Sequence, residues 1–492
     1  MSMKKIVIYS AIGLLALSGL QGCNPNDFLD TTSHSITDAS FISNDSTAMY
    51  LLPGVYDPAG WMAYSQYLEW AIGDVVSDDA VKGGGGDNDQ PEMYDMEHFR
   101  ATDQTTVLNT VWNNEYVGIN RANRLIEGVN GNSKVSKQLQ DRLIAECKFL
   151  RAYYNFCLVK VFGNVPIVDH ILQPSEYYAP RNTMEECWAA IELDLKAAME
   201  GLPKRSEMPA GDLGRATWGS AAALLTKAYI YEEKWDEADA LASRIINSKE
   251  YHLQPNYGDL FLVSTDNGME SIFDIQKKVI PSLSTLWGDD AEASTVEIYQ
   301  RTRWDNLGWG FDQPTQDLYD EFEDGDIRRK WTIISDGDTL WKGTPDEEIV
   351  YTRWDPVHNP DAVTGYNKRK GTIPASQRGT RDDQSPLNIR EIRYAEVFLW
   401  QAEARAHTGG DWRSPLDSVR NRVGLGTSPY VNGLAAVYHE RRVELGLESQ
   451  RYWDLVRTGR GNLMDGYTDN KRYLPIPLPQ IQLNPNLAPN PY

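Results

Sequence analysis

The sequence predicts an all-α protein: a helical frame at about 106–250 and 390–460, with loop-rich stretches at about 50–105 and 250–389. Three observations carry that reading. Leu139, Leu143, Cys147, Leu150, Tyr154, Cys157 and Val161 step by three or four residues, so they line one side of a single long helix that Gly163 ends. Similar stripes place helices at about 106–128, 183–201, 217–233, 236–248, 390–408, 413–423 and 434–457. Turn formers gather between them: Gly83 to Gly86, Asp-Gly-Asp at 324–326 and 336–338, and prolines at 281, 314, 345, 356, 360, 374 and 386.

In chain order, the first 22 residues differ in kind from the rest. Lys4 and Lys5 precede an apolar run from Ile6 to Leu20, too short with its flanks for an ordinary spanning helix, so the segment reads as an export signal. The run ends in Leu20-Gln21-Gly22-Cys23, which is similar to a bacterial lipobox, with Cys23 as the lipidated mature N-terminus. Acyl chains there would contribute about 0.8 kcal/mol per buried methylene, and more than one chain anchors stably. The expected product is residues 23–492 as one domain. Cys147, Cys157 and Cys187 remain, an odd number, and read as core hydrophobes rather than a disulfide framework.

Charge narrows the partners. Lys and Arg number 48 and Asp and Glu 70, and the resulting −22 repels nucleic-acid backbones and anionic headgroups, so no nucleic-acid partner is expected. With 15 Trp and 26 Tyr against 11 Phe, most rings carry a polar edge suited to half-wet surfaces.

Within the frame, Tyr229, Trp235, Ala238 and Ala242 fall where a tetratricopeptide hairpin sets its packing residues, and a second hairpin starts at Tyr394-Ala395-Glu396 and turns at Gly409-Gly410. Catalytic signatures are missing. Gly83 to Gly86 lacks the Lys-Ser/Thr of a phosphate loop, is followed by Asp87-Asn88-Asp89, and reads as a flexible loop. There is no Gly-x-Ser-x-Gly, and the seven histidines contain no His-Glu-x-x-His. Asp87, Asp89, Asp324, Asp326, Asp336 and Asp338 do not complete a twelve-residue Ca²⁺ loop and read as solvated turns, so no cofactor is expected. No carboxylate pair for glycoside hydrolysis stands out.

The C-terminal third carries an ordered set of boxes: Arg393-Tyr394-Ala395-Glu396 through Ala404, Leu416 to Gly424, His439-Glu440-Arg441-Arg442-Val443-Glu444-Leu445-Gly446-Leu447-Glu448, Arg451-Tyr452-Trp453-Asp454 and Leu474-Pro475-Ile476-Pro477. Upstream stand Asp27-Phe28-Leu29-Asp30, Arg121-Ala122-Asn123, Arg151-Ala152-Tyr153-Tyr154 and Phe162-Gly163-Asn164-Val165-Pro166. In this order they resemble the SusD/RagB family of outer-membrane nutrient-binding lipoproteins. The resemblance implies a SusD-like tetratricopeptide-type scaffold anchored at the cell surface through Cys23. It also implies non-catalytic capture of an oligosaccharide and delivery to a SusC-like TonB-dependent transporter. A peptide-binding RagB-like lipoprotein and a helical glycoside hydrolase are the alternatives. Glu440, Arg441, Glu444 and Glu448 share helical spacing and are expected to be structural, pairing with Arg451 or Arg457.

A sugar offers a flat C–H face and a rim of hydroxyls, so its binder needs aromatic platforms ringed by Asp, Asn, Gln or Arg. Trp304-Asp305-Asn306 with Arg303, Tyr299, Trp287 and Trp309 has that mixture, and Trp61, Tyr64, Tyr67 and Asp78 supply it from the other loop-rich stretch. Trp304 is expected to be the main platform; Trp309 is either a contact or a core anchor, and Trp331 and Trp341 are expected to pack.

Overall fold

The computed structural model of the protein describes residues 41–61, 67–280, 293–342, 349–379 and 384–492. The export signal, Cys23, Tyr64 and Trp287 lie outside the described residues.

The long apolar stripe forms the helix Lys137–Phe162, which ends at Gly163. It packs between Thr106–Val129 and Met184–Gly201, with the shorter Leu52–Gly60 across it, and almost every residue from Ala145 onward is buried. Cys147, Cys157 and Cys187 are free and buried, as their spacing suggests. The predicted hairpin is Trp218–Tyr231 followed by Trp235–Ser248; Thr217 opens it with a capping box to Ser220. Trp235 stacks on His407 of the helix Tyr394–Thr408, with ring centroids 3.8 Å apart, and Asp239 accepts from Gln401 and Arg405 of the same helix at 2.9 Å each. Hairpin and C-terminal helices thereby join one core that runs from Ile42 to Leu487.

Two predicted helices change at their ends. The helix expected from 390 begins at Tyr394, because Ile389–Arg393 is instead a strand antiparallel to Ser271–Ile275. The helix expected over 434–457 is two, Gly433–Leu445 and Arg451–Arg457. Between them Leu447 and Ser449 take left-handed backbone, with φ of 61° and 63°, and the Ser449 N–H donates to Asp74 Oδ1 at 2.8 Å. That contact needs Gly73: a Cβ there would lie 2.3 Å from the Ser449 carbonyl oxygen. Among the described residues, the remaining strands form three more short antiparallel pairs: Ala80–Gly83 with Phe311–Pro314, Ile333–Ile334 with Asn367–Lys368, and Thr339–Leu340 with Ile349–Val350.

The charged C-terminal box is buried, and its partners differ from those expected. Glu440 accepts from Arg328 Nη1 at 2.5 Å and Arg420 Nη1 at 2.9 Å; Glu444 faces Arg328, Arg393 and Arg422; Glu448 pairs with Arg393 and Lys370 at 2.7 Å each. Burial alone would raise the Glu444 carboxyl, but Arg422, Arg393 and Arg328 hold it well below the ordinary carboxylate range. Arg451 turns to Asp78, and Arg457 to Glu403 and Asp454. The box is structural: Arg441 reaches Asp454 of the following helix at 2.8 Å, while Glu440, Glu444 and Glu448 close mainly onto arginines and a lysine from elsewhere in the chain.

Candidate functional site

The two loop-rich stretches meet through the strand pair Ala80–Gly83 and Phe311–Pro314, extended by the Gly84 N–H donating to the Gly310 carbonyl at 3.0 Å. Just beyond it, Gly83 to Gly86 is not the flexible loop expected. It is a turn wrapped around the buried Lys82, whose Nζ donates to the carbonyls of Gly83, Gly86 and Asp89 at 3.0, 2.8 and 2.6 Å. Burial lowers the Lys82 ammonium pKa. Asp89 closes the turn by accepting from the Gly85 N–H at 2.8 Å.

Two further loops lace onto this turn. Arg303 reaches Asp361 with Nε at 3.1 Å and Asp89 with Nη1 at 3.9 Å. Asp305 takes left-handed backbone, φ 48°, which Asp tolerates, and its N–H donates to the His358 carbonyl at 2.9 Å. Its Oδ1 also meets His358 Nδ1 at 2.6 Å, and this hydrogen bond raises the His358 pKa above its ordinary value. Gln313 Oε1 accepts from the Val363 N–H at 2.9 Å. Residues 82–90, 303–309 and 353–365 thus form one face.

Trp304 is not the open platform expected. It is 6% exposed and packs with Ile334, Leu340 and Tyr351, while the His358 ring covers it nearly parallel at 5.1 Å. Tyr299 is likewise buried, against Trp70, Trp309 and Phe311, because its short helix Val296–Gln300 lies inside the loop layer. Half-buried Trp309 meets Tyr299 edge-on at 4.4 Å, the anchor arrangement of the two considered. Asp78 is a structural ion-pair partner, accepting from Arg451 at 2.6 and 2.7 Å. Trp61 is buried under the Arg121 guanidinium and lines a different cleft of about 930 Å³, between Leu52–Gly60, residues 212–215 and strand Ser271–Ile275. Tyr67 opens the helix Tyr67–Val75, and Asn306 ends the turn Trp304–Asn306. Arg303 and Asp305, of the expected residues, lie on the face with solvent access.

The residue that sequence reasoning missed is Trp354, whose side chain is open to solvent, with the residue 60% exposed. It is held in place. Arg353 lies over it at 5.6 Å and, at 3.5 Å, over Tyr366, which stacks on Tyr319 at 4.7 Å; the Arg353 N–H donates to Asp336 Oδ1 at 2.6 Å. Gly365 lets the indole sit against the backbone, since a Cβ there would come within 2.9 Å of the Trp354 ring. The signal was present: Arg353-Trp354-Asp355 repeats Arg303-Trp304-Asp305. Trp331 and Trp341 are half-buried, as expected, beneath Arg369 and Arg378.

Among the described residues, several acidic turn residues accept from backbone N–H groups. Asp338 accepts from the Ser335 N–H at 2.8 Å, Asp355 from those of Val357 and His358, and Asp326 is a fully buried partner of Arg328 rather than a solvated turn residue. Glu323, His439 and Glu440 bring possible metal-ligating atoms within 4.8 Å of one another. Arg420 already bridges Glu323 and Glu440, at 2.6 and 2.9 Å, and its charge disfavours a cation there.

A tetratricopeptide-like frame thus carries one loop-built face of exposed indole and carboxylates, an arrangement suited to binding a ligand. Two family models match the chain: one described as starch-binding associating with outer membrane over residues 27–230, and one described as the SusD family over residues 269–472. The chain belongs to the SusD family. It is 27% identical over 427 residues to SusD-like protein P2 of Formosa agariphila, covering 80% of this chain and 82% of that one. To the starch-binding protein SusD of Bacteroides thetaiotaomicron it is 24% identical over 404 residues, 70% and 72% of the two chains. Among solved structures, a laminarin-binding SusD-like protein superposes with a TM-score of 0.79 at 28% identity, covering 91% of this chain and 99% of that one.

Proposed function

We propose that this protein is a cell-surface lipoprotein of the outer membrane, anchored through Cys23, that captures an oligosaccharide without cleaving it and delivers it to a SusC-like TonB-dependent transporter. The observation that carries the reading is Trp354: an exposed indole fixed by Arg353 and Gly365, in loops that also hold the carboxylates of Asp305 and Asp361. A flat ring stacks on the C–H face of a pyranose, and adjacent carboxylates accept from its hydroxyls. Two relatives named for starch binding and laminarin binding support the same chemistry. Membrane attachment rests on the lipobox-like Leu20-Gln21-Gly22-Cys23, and among the described residues no helix is long and apolar enough to cross a membrane.

Calorimetry of the full-length protein in detergent against a panel of oligosaccharides tests the reading. Binding that Trp354→Ala weakens roughly thirtyfold, with no released sugar on long incubation, is the expected result. Sugar release would make the protein a hydrolase, and binding of extended peptides in place of glycans would move it to peptide uptake. Cys23→Ala is expected to leave the membrane fraction when expressed without a transporter; its retention there would contradict the anchor.

A further inference from the structure

We infer that the Trp354 face selects uncharged glycans and rejects uronate-rich or sulfated ones, an inference that rests on reading this face as the glycan site. Among the described residues of the three loops, the cations are Lys82, Arg303 and Arg353, with His358 able to become one. Each is already engaged by the protein. Lys82 is buried and donates to three carbonyls; Arg303 is held by Asp361 and Asp89; Arg353 lies on Tyr366 and donates to the Thr364 carbonyl at 2.9 Å; His358 shares a hydrogen bond with Asp305.

The same loops carry Asp87, Asp89, Asp305, Asp355 and Asp361, with the Asp305 side chain 55% exposed. A neutral sugar donates its hydroxyls to such carboxylates. A carboxylate or sulfate on the sugar brings acceptors and a like charge, and a site that binds it needs a guanidinium or ammonium free to meet it. Recruiting Arg303 would break its pair with Asp361, leaving that carboxylate uncompensated beside the ligand. The net charge of −22 adds repulsion at longer range. The arrangement therefore discriminates by repulsion as well as by attraction.

The test uses the full-length protein in detergent, with neutral hexasaccharides and their counterparts oxidised at C6 to uronates or sulfated there. The neutral member of the best-bound pair should bind about tenfold or more tightly than its anionic counterpart at low salt, and the gap should narrow toward roughly 0.5 M salt as screening sets in. Asp361→Asn, which releases Arg303, should narrow the gap at low salt about threefold or more. Equal or tighter binding of the anionic glycans, or a gap unmoved by both salt and Asp361→Asn, overturns the selectivity while leaving glycan binding intact. If neither neutral nor anionic oligosaccharides bind, the glycan reading fails and the selectivity falls with it.

Discussion

Arg303-Trp304-Asp305 and Arg353-Trp354-Asp355 are the same tripeptide on the same face, and they are built inside out from one another. In the first, the indole points inward between Tyr351 and His358 and the guanidinium reaches across the surface to Asp361. In the second, the guanidinium lies on Tyr366 and the indole is left outside. The tripeptide does not choose. The first triplet sits in a tight turn over the apolar residues Ile334 and Leu340, which take up its ring. The second follows a backbone pinned to Asp336, where Tyr366 offers a face to the cation and Gly365 opens a shelf for the ring. Exposure of an aromatic is thus a property of the seat prepared for it, and local composition does not report the seat.

Substitutions can break that comparison, the largest effect coming from outside both triplets. Glu444→Ala removes the carboxylate facing Arg328, Arg393 and Arg422 and should cost about 3–5 kcal/mol in denaturant unfolding, while the folded fraction keeps its glycan affinity. Because the Glu444 pKa is depressed in the fold, its contribution is fully present above the ordinary carboxylate value of about 4.3 and is lost as pH falls toward the folded value. The difference in unfolding free energy should therefore stay constant at neutral pH and shrink only in acid.

Trp304→Ala should cost about 3 kcal/mol of stability, as expected for a buried ring, with any loss of affinity following from disorder of the face. Trp354→Ala should do the reverse: an unchanged melting temperature and about 2 kcal/mol of lost glycan binding, roughly thirtyfold in Kd. If Trp304→Ala lost affinity with normal melting, or Trp354→Ala melted early, the inward and outward assignments would be wrong.

The smallest effect sharpens the first triplet. The raised His358 pKa means that the Asp305 contact is fully formed below about pH 6.5 and weakens as pH rises through the folded value. In NMR titration the His358 ring should titrate above the ordinary value, and Asp305→Asn should bring it back.

The helical frame was largely legible because burying one side of a helix leaves a local period. The stripe from Leu139 to Val161 lies within the helix Lys137–Phe162, and several other helix ends fall within about two residues of the expected ones. The misread ends are those set by distant chain. Strand Ile389–Arg393 exists because Ser271–Ile275 lies beside it, and the break after Leu445 exists because Asp74 holds Ser449. In the candidate site, the meeting of the two loop-rich regions and the solvent access of Arg303 and Asp305 were legible, whereas the burial of Trp304 was not. The inward turn of Trp304 depends on Tyr351 and His358, some fifty residues away, which no window around it contains.

The strand pair that joins position 80 to position 314 also fixes when this face can exist. Closing so long a stretch of chain carries an entropy cost that local contacts do not offset, so pairings of this kind form slowly and late. The helical hairpins can nucleate from neighbours in sequence, but the glycine turn around Lys82, and with it the anchorage of Arg303, must wait until the middle of the chain has returned to the beginning. The capacity to bind should therefore appear in refolding after most helical signal has recovered, and a protein trapped short of that closure would look folded by its helices while presenting no site.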